Sequence, residues 1–449
     1  MGDGGSRCWT IWRTACRANP TSSSWPTGSA TISSAFGVSR PSRRSTMSIW
    51  RSTWIWASRS GKKTAVQTGK RMMHRTILVI IVGVFVAGAG VHAAGAKVPA
   101  RAASEPLVSR PLLRSAGLQW NWEIQLPIRS GETLDRLFVF GDAVYALTDT
   151  NFLLSLDRAT GRARFGLTLA EVGLPVADPL FYEDKLWFMV GGRLICVDPE
   201  QRQVVRRMTL KGIGGSAAGP IARNTDYLYV PGADGLLHVF WVDGYIEAFS
   251  VRPDNKTAVT SVVADNDLAV FASAGGNVIS IAADRNQKRW QFDLLGGVTA
   301  PIVRDGRWLY VSGRDAKVYK LDVERGRNVW LGREFYAGMA LKWAPVVGRE
   351  VIYQFADRQG LHAVRKESGQ KAWTLENGLA VLAEAGSRAY VFQDPGLLVA
   401  MDNGTGRKIW SLNAADVTRY VVNVADAEPR IYLADDTGRL MSITAGATP

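Results

Sequence analysis

The sequence predicts an all-β fold, an eight-bladed β-propeller of four-stranded antiparallel blades. Three observations predict it. From Leu118 onward, short runs of Val, Ile, Leu, Tyr, Phe and Trp alternate with Gly, Asp and Asn turns. A turn motif recurs at a step of about 40 residues. A second motif, a Pro followed eight or nine residues later by an aromatic, recurs in phase with the first.

The turn motif is plainest in the stretch from Ala400 to Trp410. Asn403-Gly404-Thr405-Gly406 is a tight turn, and glycine supplies the positive φ such a turn needs. Asp402 opens it as an Asx-type acceptor of backbone hydrogen bonds. Trp410 closes the return strand as an anchor, and truncating a buried indole costs about 3–5 kcal/mol. The step of eight residues recurs from Asp157 to Phe165, Ala282 to Trp290, Asp322 to Trp330 and Arg365 to Trp373. Asp198 opens a further copy that has lost its aromatic.

The second motif is carried by Pro179, Pro220, Pro301 and Pro345, with Trp187, Tyr229, Tyr310 and Tyr353. Proline suits the start of an innermost strand, where no ladder donor is lost. Glu183-Asp184, Asp305-Gly306 and Gly348-Arg349 turn into the aromatic strand. One unit is a four-stranded meander, the pattern of a propeller blade. Second strands are expected near Phe138, Trp187, Tyr227, Leu268, Trp308, Val351, Ala389 and Ile431, which makes eight blades. The last unit lacks a fourth strand, and the run from Leu118 to Leu126 has no blade of its own. That run is expected to complete the last blade and close the ring, which removes an exposed edge.

Ahead of the repeats, residues 1–71 are rich in Arg, Ser, Thr and Trp without apolar periodicity. They read as a mis-called or disordered leader. Residues 72–96 have the three parts of a signal peptide: a basic flank, an apolar run from Ile77 to Ala89, and Ala94-Gly95-Ala96 before Lys97. Cleavage near Ala96 is the expectation, with an uncleaved anchor as the alternative. No Cys follows the apolar run closely, so no lipid anchor is expected. Residues 97–117 read as a mobile linker, and 118–449 as the propeller.

The net charge of +14 is a property of the leader. Residues 1–96 hold 13 Lys/Arg and one acid, leaving 41 basic and 39 acidic residues for the rest. A near-neutral body does not point to nucleic acid. Of Cys8, Cys16 and Cys196, only Cys196 lies among the repeats, and its apolar neighbours make it a buried small hydrophobe.

The stretch Ala400 to Trp410 resembles the tryptophan-docking repeat of the PQQ-like propellers, A-x-D-x-x-T-G-x-x-x-W. The resemblance spans about residues 118–444 and implies eight blades. Two branches share the repeat. One is the quinoprotein dehydrogenases, for which the resemblance implies pyrroloquinoline quinone, Ca²⁺, an Asn, acids and a vicinal disulfide. The other is propellers similar to the outer-membrane assembly factor BamB, which bind proteins and carry no catalysis. This sequence has no Cys-Cys pair.

Other chemistry is thin. His238 and His362 lack metal-ligand spacing and read as strand residues. Gly212-Ile213-Gly214-Gly215-Ser216 has no helix behind it to cradle phosphate and reads as an inter-blade connection. No catalytic, cofactor-binding or metal residue is assigned. Loops at the ends of a rigid disc are what remains. Phe240, Trp241 and Tyr245, in an unusually apolar hairpin, are candidate partner-binding residues. Phe335, Tyr336 and Trp343, in the segment read as the longest inter-blade connection, are the second set. The expected protein is an exported periplasmic or envelope scaffold, monomeric within a complex of other envelope proteins. A PQQ-dependent dehydrogenase or a degenerate relative is the alternative.

Overall fold

The computed structural model describes residues 106–424 and 428–445. The expected leader and signal peptide lie outside them. Eight four-stranded antiparallel sheets form the ring. Blades one to seven span residues 134–168, 180–209, 222–251, 259–293, 303–336, 346–375 and 378–413. Blade eight takes three strands from residues 419–445 and its fourth from Leu118–Gln125. That strand pairs antiparallel with Arg439–Ala445, Leu118 opposite Ala445. The chain therefore closes on itself as the strand count requires.

Second and third strands are the core. In blade four every residue of Leu268–Ser273 and Asn277–Ala282 is buried. Each blade is sandwiched between two neighbours, so its middle strands lose both faces to packing, while fourth strands such as Ala163–Thr168 stay half exposed.

The turn chemistry follows the sequence. Asp402 Oδ1 accepts from Thr405 N at 2.7 Å, and Gly406 N donates to Asp402 O at 2.8 Å. Asp157 repeats this with Ala159 N and Thr160 N at 3.1 and 2.9 Å. Glycine is needed in the fifth position for two reasons. Gly161, Gly326, Gly369 and Gly406 have φ between 65° and 74°. A Cβ on each would also lie 2.5–3.0 Å from a Trp of the preceding blade: Trp122, Trp290, Trp330 and Trp373 in turn. The indole nitrogens donate to that same turn, to Arg158 O, Val323 O, Lys366 O and Asn403 Oδ1 at 2.8–3.2 Å. Behind each indole in blades five, six and eight stands the tyrosine of its own second strand: Tyr310, Tyr353 and Tyr432, with ring centres 5.8–6.2 Å away.

Four expectations need correction. Phe138 lies in the first strand of blade one, Leu134–Phe140; the second is Ala143–Thr148, carrying Tyr145. That first strand is seven residues long, where blades two, three, five and six use two or three, so its aromatics mimic a second strand. Residues 106–117 of the expected linker are packed: Leu107, Val108 and Leu113 are buried with Ile431 and Ile443, and Arg110–Ser115 is a short helix. Trp410 is only partly buried. It faces the one junction whose next blade has no turn between third and fourth strands, since those strands come from opposite ends of the chain. Finally, Phe335–Tyr336 is the outer strand of blade five, and the connection that follows, 337–345, is shorter than 210–221 between blades two and three.

Candidate functional site

Three of the six candidate residues are core. Phe240 is buried with Leu228 and Val230, and Phe335 with Ile352 and Val364. Tyr245 is buried under the Arg206 guanidinium, 5.1 Å from the ring centre. Position along the strand separates Phe240 from Trp241: Leu237, His238, Val239 and Phe240 are all buried between neighbouring blades, and Trp241 is exposed because it ends the strand at the face of the disc. The surface members are Trp241 (46% exposed), Tyr336 (65%) and Trp343 (50%).

These three do not form one patch. Trp241 ends the third strand of blade three and pairs with Tyr227, at the end of the ring that carries the first-to-second and third-to-fourth turns. Tyr336 pairs with Lys317 at the start of a third strand, so it sits at the opposite end. Trp343 follows it there; Gln354 Nε2 donates to its carbonyl at 3.0 Å. The ring thus offers two separate aromatic surfaces.

The described histidines and the described cysteine are core groups. His238 is buried between Glu247 Oε1 (2.8 Å from Nδ1) and Asp234 Oδ2 (3.0 Å from Nε2), a satisfied core imidazole. His362 bonds Thr374 Oγ1 at 2.8 Å, and burial pulls its pKa down to about 4. Burial pushes the Cys196 thiol up to about 11, which keeps it unreactive. The Tyr353 hydroxyl donates to buried Glu384, and Asn403 Nδ2 donates to Tyr353 at 2.7 Å, tying blade six to blade seven. Among the described residues, no group of three or more His, Cys, Asp or Glu side chains could hold a metal ion.

Comparison with known proteins bears on this arrangement. The family model described as outer membrane protein assembly factor BamB matches residues 114–332, 190–377 and 331–447, the whole ring. The chain belongs to that family. A curated relative, outer membrane protein assembly factor BamB of Yersinia pestis, is 29% identical over 174 residues, 33% of this chain and 42% of its own length. The match thus spans less than half of that relative. Among solved structures, BamB from Moraxella catarrhalis aligns with a TM-score of 0.56 at 14% identity, over 73% of this chain and 97% of that one. The computationally designed protein Ika8 aligns at 0.58 and 14%, over 73% and 100%. At such identities the two structures show the shared fold.

Surface residues other than the predicted ones are prominent. Ile246 is 70% exposed and Leu295 96%. Leu295 carried no signal, being one Leu in a loop. Ile246 did carry one, in its position within the repeat.

Proposed function

We propose that this chain is an exported, non-catalytic propeller that binds other envelope proteins in outer-membrane protein assembly. The observation that carries the reading is the family match across every blade, residues 114–447. The geometry supports it. Core and turns are given over to holding the ring, and the exposed aromatics lie on loops and strand ends at its two faces. Aromatic side chains on a rigid frame are what protein interfaces use as anchors. The chain acts by being held in a complex, and needs no cofactor.

The quinone-dependent alternative asks for residues this chain does not bring together. It has no adjacent cysteines, and its one Cys in the ring is buried in the blade two core. Two experiments separate the readings. Affinity purification of the tagged protein from its own cells is expected to recover outer-membrane assembly subunits. Reconstitution with pyrroloquinoline quinone and Ca²⁺ is expected to give no new visible band and no dye reduction with alcohols or sugars. A quinone band with turnover would overturn the scaffold reading.

A further inference from the structure

The repeats allow each turn between third and fourth strands to be compared with its counterparts in the same chain. The first position is set by one hydrogen bond, from its N–H to the carbonyl five residues on: Asp157 to Arg162, Ala282 to Gln287, Asp322 to Arg327, Arg365 to Gln370 and Asp402 to Arg407. In blade two Asp198 pairs with Gln203. In blade three the same bond runs from Trp241 N to Ile246 O at 2.9 Å. Four blades therefore have a turn-capping Asp where blade three has Trp, and all six have Arg or Gln where it has Ile.

Nothing in the fold calls for this exchange. Trp241 gives up the backbone hydrogen bonds that Asp157 and Asp402 make within their turns. It rests on Tyr227, ring centres 4.5 Å apart, and leaves 46% of itself in water. Ile246 leaves 70%. One ring contact, with about half of the indole and most of Ile246 left in water, is a small packing return for breaking a local rule, and such positions mark function. The third departure in this turn, Tyr245 in place of glycine at φ 52°, is buried by Arg206 and Trp187 and is accounted for by packing.

The surroundings are acidic. Asp226 and Asp243 flank the patch on adjacent turns, joined by the bond from Val242 N to Asp226 O at 2.8 Å. Both are exposed and make no ion pair among the described residues. Burial, and after it the charges of Asp284 and Asp226, raise the pKa of the Tyr227 hydroxyl beneath the indole.

We propose that Trp241 and Ile246, flanked by the unpaired Asp226 and Asp243, form the docking site for a basic, amphipathic segment of a partner protein. An apolar side chain of the partner covers Ile246. An Arg or Lys stacks on the indole face and pairs with the aspartates, as cations do on exposed tryptophans. The inference rests on the scaffold reading and names the surface and the chemistry of its partner.

The test is affinity purification of the tagged full chain from its own cells, wild type against W241D/I246R. That double variant restores the residues of the chain's own other turns, so it folds, and its melting temperature is expected to be unchanged or higher. Recovery of partner protein is expected to fall by about tenfold or more. D226N/D243N is expected to weaken recovery and flatten its salt dependence, as loss of exposed charge pairs does. A photoreactive amino acid at position 241 is expected to cross-link to a stretch rich in Lys or Arg. If W241D/I246R retains the wild-type partners, the docking site is overturned and the scaffold reading stands. Cross-links to an acidic stretch, a second copy of the chain or lipid overturn the proposed occupant. A wild-type chain that recovers no envelope protein sinks both.

Discussion

The junction between blades five and six and the junction between blades two and three fill the same space with different chemistry. At the first, Trp330 is fully buried, its face over Gly369 and its N–H on Lys366 O at 3.2 Å. At the second, Arg206 stands eight residues after Asp198, where an indole would be. It covers Tyr245, which takes the glycine position, and the Arg223 guanidinium sits 4.6 Å from the Trp187 ring centre behind it. A large flat group against a turn is what each junction needs. An indole on a glycine supplies it through apolar burial, and a guanidinium on a phenol supplies it through charge and ring. The first depends on a missing Cβ, the second on a side chain where the first forbids one.

Substitutions test that contrast, beginning with the largest effect. Trp330→Ala is expected to cost about 3–5 kcal/mol in denaturant unfolding, the price of a buried ring. Trp410→Ala is expected to cost clearly less, since its ring is only partly buried. Equal losses at the two positions would remove burial as the cause. Gly369→Ala is expected to cost about 2–4 kcal/mol, because the new methyl meets the Trp330 ring and the backbone is left-handed there.

Acid separates the junctions next. His362, in the blade that receives Trp330, is held neutral by burial, its pKa down from 6.5 to about 4. The unfolded chain takes up the proton first, so this stability is complete above pH 6.5 and is lost as pH falls toward 4. The loss is expected to be about 1–3 kcal/mol. His362→Gln should flatten the pH dependence of the melting temperature across that window. Smallest, Arg206→Ala is expected to cost about 0.5–1 kcal/mol, the range of a partly exposed cation on a ring. A cycle with Tyr245→Leu should return most of it as coupling; additive losses would mean that the two side chains act separately.

Much of the ring was legible in the residues. Asp402, Thr405 and Gly406 act within one turn, so their spacing alone predicts the bonds they make. The lone strand Leu118–Gln125 was legible by subtraction, because blade eight lacked one. Phe138 misled because the first strand of blade one is long and aromatic, as second strands are, and only pairing across the sheet tells them apart. The docking residues were half legible. Phe240 and Trp241 are adjacent aromatics, and which of them faces water depends on the neighbouring blade. Ile246 could have been found by aligning the turns within the chain, where a lone apolar residue stands among Arg and Gln.

What the sequence determined by itself was local: turn chemistry, strand number, and the step that repeats them, because each rests on residues a few positions apart. What only the tertiary structure decided was which rings are sealed between blades and which stand at the ends of the disc. Burial is a property of neighbours about 40 residues away in the chain. It also decided that Trp241 and the pair Tyr336 and Trp343 look in opposite directions, since the end of the ring a residue occupies follows from strand direction in the closed sheet order.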